Sequence, residues 1–355
     1  MSRLWRAVFT GGLALSACTD AERVDPVDAP YEGPALPWAY SAFPERAPEP
    51  PATVELGRLL FYDPILSGDQ ETACATCHSE EWGMGDGLAV SIGVDGEGPT
   101  GPGRTGPNQT TRNALTLWNA VFRFELFWDG RVQSLEDQAL KPLLQEKELA
   151  LDPKEAARRI GAIPAYRALF RAAFPGEDIV TPIQIARALS AFERTLISDL
   201  SPYDRYVGGD EGALSDESIE GMTLFAEAGC ASCHVPPLFE SNRYVMRIPS
   251  DDPGRAAITG DDADEGAFRV PTLRNLRETG PYFHDGSVVA LEDAVLAESQ
   301  VSAARGEGKS LDADEAALVA GFLKKALMDR SREPTRPDEV PSGLDVPRDG
   351  LRIPR

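Results

Sequence analysis

Two copies of Cys-x-x-Cys-His, Cys74-Ala75-Thr76-Cys77-His78 and Cys230-Ala231-Ser232-Cys233-His234, occur in a chain of 355 residues that has only five cysteines and three histidines. Each has the form of a c-type haem attachment site, in which two thiols add across the haem vinyl groups and the adjacent histidine sits under the iron. A zinc site would need the four thiols to converge, whereas these pairs stand about half a chain apart, each with its own histidine. Two covalently bound haem c groups are therefore expected, and the fold must supply a cavity for each.

The chain is long enough for two domains of ordinary size. It begins Met1-Ser2-Arg3-Leu4-Trp5-Arg6 and runs through an apolar stretch to Leu15-Ser16-Ala17-Cys18. That order of basic, apolar and small residues is a secretory signal, and the run is too short to span a bilayer. Residues 1–18 thus read as a signal peptide with a lipobox, Cys18 receiving the lipid, or as an ordinary signal with a stray cysteine. With four cysteines for haem and one for lipid, none is left for a disulfide. Because bacterial c-type haem attachment takes place outside the cytoplasmic membrane, the periplasm is the consistent address, with the membrane reached only through an N-terminal lipid anchor.

Formal net charge is −22, and −24 once the signal with Arg3 and Arg6 is removed. So acidic a surface speaks against nucleic acid and anionic lipid as partners. It suits a protein partner with a cationic patch, or simply solubility.

Residues 19–51 are rich in Pro, Ala, Glu and Asp and read as an extended tether or irregular wrap; 329–355 have similar composition and read as a disordered tail. Between them Gly57-Arg58-Leu59-Leu60-Phe61 and Gly221-Met222-Thr223-Leu224-Phe225 form a weak repeat, each on an amphipathic helix that delivers the chain into a haem loop. Further helices are expected over Ser134–Leu144, Pro153–Phe174, Pro182–Asp199, Ser215–Ala228, Leu291–Ser299 and Asp312–Met328, several opening with a capping residue or an early proline. Ser79–Thr111, full of Gly, Pro and polar residues, reads as a long irregular loop over the first haem. The expected fold is mostly α, two fused cytochrome c-like haem domains at 52–205 and 206–328 with long irregular loops.

Three longer motifs carry a resemblance. Phe127-Trp128-Asp129-Gly130-Arg131, then Val270-Pro271-Thr272-Leu273-Arg274-Asn275, then Pro281-Tyr282-Phe283-His284-Asp285-Gly286, resemble the bacterial di-haem cytochrome c peroxidase and MauG family, over about residues 52 to 300. The resemblance implies that the N-terminal haem is peroxidatic and the C-terminal one transfers electrons. It implies Gln138, Pro142 and Glu148 in the distal pocket, at the family's offsets after the tryptophan: Glu148 as the base that moves a proton between the peroxide oxygens, Gln138 as the polar group that stabilises separating charge. Without the resemblance both would read as solvated helix residues. It also implies Trp128 between the haems and one calcium ion held by Asn113, Thr279 and Pro281.

Two departures bear on function. Relatives that need reductive activation carry a histidine in the loop that here reads Ser91-Ile92-Gly93-Val94-Asp95-Gly96; this chain has none between His78 and His234. The first haem is thus expected to be open to peroxide as isolated. At the second haem, the sixth ligand comes fourteen residues after the motif histidine, Met in the peroxidases and Tyr in MauG; here that residue is Glu298. A hard carboxylate there would favour the oxidised iron and lower the potential; otherwise Glu298 is solvated and Met246, Tyr244 or no side chain takes the site. For His284 a contact near the haem or its propionates is expected.

The function that follows is a periplasmic di-haem peroxidase reducing hydrogen peroxide with electrons from a small c-type cytochrome or cupredoxin. The alternative is a MauG-like oxidase that uses peroxide to modify Trp or Tyr side chains of a partner protein. A bare electron carrier would have no need of Gln138, Pro142 and Glu148.

Overall fold

Capping side chains and prolines set most of the helix starts. In the computed structural model residue 31 and residues 33–246 and 251–350 are described. The expected signal peptide, Cys18 and the first part of the tether lie outside them. The helices are α1 (Pro51–Tyr62), α2 (Cys74–Cys77), α3 (Leu135–Leu144), α4 (Pro153–Ala162), α5 (Pro164–Ala173), α6 (Pro182–Glu193), α7 (Pro202–Val207), α8 (Asp216–Glu227), α9 (Ala256–Thr259), α10 (Leu291–Ala304) and α11 (Ala313–Ala326). Asp152 caps α4, Ser134 caps α3, and reciprocal capping boxes Thr181/Gln184 and Asp312/Glu315 open α6 and α11. One short antiparallel pair, β1 (Tyr244–Val245) with β2 (Phe268–Arg269), sets Tyr244 opposite Arg269. The mostly α expectation holds.

The helix expected over 153–174 is two helices. Pro164 has no N–H to donate and holds Ile163 extended, at φ −87° and ψ 118°, so the chain turns between α4 and α5. The helix expected from Pro182 to Asp199 ends at Glu193, where the amides of Thr195 and Leu196 turn back to Phe192 O and Glu193 O. In the other direction α10 runs on past Ser299 to Ala304.

Among the described residues two large apolar cores result, with a small third cluster of Ala120, Leu126 and Leu135. The first is built from Leu56, Leu60 and Phe61 of α1, Tyr166 and Phe170 of α5, and Ile185, Leu189 and Phe192 of α6. The second takes Met222 and Phe225 of α8, Phe239, and Val319, Phe322 and Leu323 of α11. The weak repeat in the sequence marks the same event in both. A methyl on Gly57 would lie 1.8 Å from Ala188 O, and one on Gly221 would lie 2.3 Å from Leu318 O, so each glycine is where two helices cross backbone to backbone. The Leu-Phe pair that follows is buried in each case.

Both flanking segments lack regular structure, but each is packed. From the described part of the N-terminal segment, Trp38 lies against Tyr203, Phe225 and Phe239 of the second core and donates to Tyr203 Oη at 3.0 Å. The tail, read from composition as disordered, is held down over its described residues. Val340 is buried in the first core, Ser342 donates to Asp63, and Arg336 pairs with Glu80 at 2.8 Å and Asp349 at 2.7 Å. Composition could not foretell this because a single buried valine and a few ion pairs do the holding. Among the described residues no helix is long and apolar enough to cross a membrane.

Candidate functional site

Each Cys-x-x-Cys-His loop is a single helical turn closed on its histidine. The His78 amide bonds Cys74 O at 3.0 Å, and the His234 amide bonds Cys230 O at 2.9 Å. In both loops the imidazole Nδ1–H donates to a backbone carbonyl, Met84 O at 2.9 Å and Phe239 O at 3.1 Å. That bond fixes the tautomer and the ring, making Nε2 the nitrogen presented to a metal. The thiols of Cys74, Cys77, Cys230 and Cys233 form no disulfide. Burial pushes the Cys74 thiol up to about 12, so it is held protonated. Gly229 opens the second loop at φ +80°, with no room for a methyl beside Glu307 O.

His78 opens on a cleft of about 800 Å³, within the range of cofactor sites, whose lining includes Cys77, Trp128, Arg131, Gln138 and Glu148. Gln138 Oε1 is buried without a hydrogen-bond partner, an orphan acceptor on a wall that would face a bound group. Burial raises the Glu148 carboxyl above its ordinary value, and the charge of Arg131 holds it partly down. Gln138 and Glu148 are thus brought together with His78. Pro142 is not among the residues lining the cleft; it sits in the last turn of α3, where its carbonyl accepts from Gln145 and Leu149.

The long loop after His78 is fastened to Glu148. Val94 N–H donates to Glu148 O at 2.9 Å, and Gly93 is so close that a methyl there would lie 2.2 Å from Lys147 O and 2.7 Å from Glu148 Cα. Buried Arg104 holds the other side of the loop, donating to Ile92 O at 2.9 Å and Gly93 O at 3.0 Å.

His234 opens on a second cavity, lined by Cys230, Cys233, Phe225, Leu291, Val295, Leu323 and Glu298 of α10. Of the three side chains weighed as sixth ligand, Glu298 alone lines this cavity. Tyr244 donates to Glu125 at 2.6 Å, and Met246 is half exposed. Asn113, Thr279 and Pro281 also belong to this lining. Asn113 spends its amide Nδ2 on Leu88 O at 2.8 Å, which leaves Oδ1 as the oxygen a cation would take.

Trp128 lines both cavities, as do Asn113 and Arg269. It sits in a tight hairpin, Leu126 paired with Val132, with Phe127 at φ +67° and Gly130 at φ +68°. Asp129 stakes this hairpin by accepting from Arg112 at 2.6 Å and Arg131 at 2.9 Å. The His284 hairpin is built the same way, Tyr282 paired with Val288, Phe283 at φ +70° and Gly286 at φ +63°. Trp128 and His284 are 156 positions apart, as are His78 and His234, and Asn113 and Arg269. The bonding is reciprocal: Asn113 N–H donates to His284 O at 2.7 Å and Arg269 N–H donates to Trp128 O at 2.8 Å. His284 is buried, stacked on Phe268 with ring centroids 3.9 Å apart, and burial lowers its pKa.

The sequence reading passed over Arg269, Phe268 and Gly93. The 156-residue register was the signal that would have singled out Arg269, as the counterpart of Asn113. An arrangement of two carbonyl-anchored histidines, each following two cysteines and opening on its own cavity, with one indole in both walls, can hold two metal macrocycles and pass charge between them.

Residues 51–212 match the family model described as di-haem cytochrome c peroxidase. The chain is 35% identical over 311 residues to the cytochrome c551 peroxidase of Nitrosomonas europaea, covering 85% of this chain and 87% of that one. It is 36% identical over 305 residues to the methylamine utilization protein MauG of Methylorubrum extorquens, covering 82% of each. Among solved structures, a MauG-like protein associated with microbial copper homeostasis superposes with a TM-score of 0.70 at 29% identity, over 83% of this chain and 97% of the other.

Proposed function

The chain belongs to the di-haem cytochrome c peroxidase family, haem peroxidases with two haem groups, and from that premise we propose that it reduces hydrogen peroxide to water with two electrons from a small c-type cytochrome or cupredoxin. One peroxide, two electrons and two protons give two waters. The observation that carries the reading is the placing of Gln138, with its orphan Oε1, and Glu148, with its raised carboxyl, in the cleft that holds His78. An electron carrier would gain nothing from them.

Cys74 and Cys77, and Cys230 and Cys233, would hold the haems as thioethers, with His78 and His234 as the histidines that bind the irons. Bound there, the first haem supplies an iron that accepts peroxide and the second a relay for electrons. Glu148 would be the base that moves a proton from one peroxide oxygen to the other, and the Gln138 amide the polar group that steadies developing charge. Trp128, common to both walls, is the path between the sites. Asn113 Oδ1 with the carbonyls of Thr279 and Pro281 would hold a calcium ion beside it. The signal-like N-terminus and the haem attachment motifs support a periplasmic location, with Cys18 as the anchor where the lipobox is used.

The MauG-like reading is favoured by one observation, the carboxylate of Glu298 in the cavity of His234. Steady-state assay with reduced c-type cytochrome separates the two. Oxidation of two cytochromes per peroxide, in continuous turnover, supports the peroxidase. No turnover, with two oxidising equivalents retained by the protein for minutes, supports oxidation of a partner protein. No reaction with peroxide at all overturns both.

A further inference from the structure

Arg269 is 2% exposed and lies in β2, on the wall shared by the two cavities. A guanidinium so deeply buried needs an anion, because an unpaired buried charge is costly. Its partners in the protein fall short of that. Nη1 reaches Val270 O at 3.3 Å, and its ion-pair carboxylate, Glu240, stands at 3.8 Å while bonding Arg123 at 2.9 Å. One carboxylate therefore serves two buried guanidiniums, and Arg269 Nε has no hydrogen-bond partner. Burial, with Arg123 close by, lowers the Arg269 pKa to about 10, which still leaves it charged at neutral pH.

We propose that Arg269 is a carboxylate-binding subsite for the cofactors, taking a haem propionate from the shared wall of the two cavities. The class of ligand follows from the surroundings. The missing partner is an anion, the wall belongs to both haem cavities, and a haem brings two carboxylates of its own. Nε with one Nη–H offers the planar pair of donors that a carboxylate accepts. This rests on the reading that both cavities hold haem, and counting haem per chain tests that reading separately.

The test uses haem-loaded protein. Arg269→Gln and Arg269→Lys are compared with wild type in haem content, in the midpoint potentials of both haems, and in the propionate bending band of the resonance Raman spectrum. Loss of the cation in Arg269→Gln should make reduction of the haem it serves about tenfold less favourable, ~59 mV for a one-electron couple. Arg269→Lys, which keeps the charge but not the fork, should retain the potential and still alter the Raman band. A shift at either haem supports the proposal and identifies the cavity served. Two haems per chain with unchanged potentials and an unchanged band in both variants would overturn it. Should either variant lose its haem, the wild-type band decides: a bonded propionate shifts in D2O, and a band insensitive to D2O overturns the subsite.

Discussion

The rings of Trp128 and His284 meet edge to face, centroids 6.4 Å apart and planes at 75°, and each residue's carbonyl is held by an amide from the other repeat. The indole therefore has a fixed position between the cavities: its Nε1–H donates to Asn113 O at 2.9 Å and its ring also meets Phe268 edge-on at 6.4 Å.

Trp128→Phe keeps an aromatic ring and loses the bond to Asn113. Stability should fall by about 1 kcal/mol, and electron transfer between haems, followed by stopped flow after peroxide addition, should slow. Trp128→Ala should slow it at least tenfold and cost roughly 3 kcal/mol. Equal transfer rates in all three proteins would remove Trp128 from the path.

Glu148→Gln should slow the reaction with peroxide by roughly 10²- to 10⁴-fold with haem content unchanged. The base acts as carboxylate, so wild-type reactivity should fall as pH drops through the Glu148 pKa, which burial lifts above the ordinary 4.5. Removing the opposing charge in Arg131→Gln should move that acid limb to higher pH. A limb that stays in place would mean another group controls it.

Gly93→Val places a side chain into the Lys147 and Glu148 backbone. Peroxide reactivity should drop toward that of Glu148→Gln while the His234 haem keeps its spectrum and potential. Full reactivity in a folded Gly93→Val protein would show that the loop does not position Glu148.

Glu298→Met replaces an anionic oxygen with a thioether in the cavity of His234. If Glu298 binds that iron, its midpoint potential should rise and its low-temperature EPR signal should change. Identical spectra and potential would leave Glu298 as a wall residue only.

Glu193 on α6 is buried, its Oε2 lacks a partner, and burial pushes its carboxyl up to about 8, Arg194 lowering it and Glu136 raising it. The folded protein then binds a proton that the unfolded chain releases between about pH 4.5 and 8. Stability is therefore lost as pH rises through that window, by roughly 5 kcal/mol at most. Glu193→Gln should flatten the dependence in denaturant titrations at pH 6 and pH 8. An unchanged slope would place the titration elsewhere.

Helix starts were legible because caps and N-terminal prolines act locally, and the haem loops because ligand chemistry fixes their spacing. Helix ends at Ile163 and Glu193 were less so, since a proline or a tight turn interrupts an unbroken apolar pattern. Gln138 and Glu148 looked like solvated helix residues, and only packing between distant segments, such as the Gly93 loop against Glu148, puts them in the cleft of His78. The unmet Nε of Arg269 is a property of packing between segments far apart in the chain, and no local pattern encodes it.

The reciprocal amide bonds have the form of an isologous interface, in which residue i of one copy meets j of the other and j meets i, except that both copies lie on one chain. In a true two-fold dimer the facing rings would be identical and charge would have no preferred direction. Covalent linkage lifts that restriction. Trp128 stands opposite His284, and Asn113 and Arg269 fill equivalent positions beside them, so the two sides of the axis differ in polarity and charge. A symmetric pair of sites has no direction, and these two mismatched positions remove that symmetry.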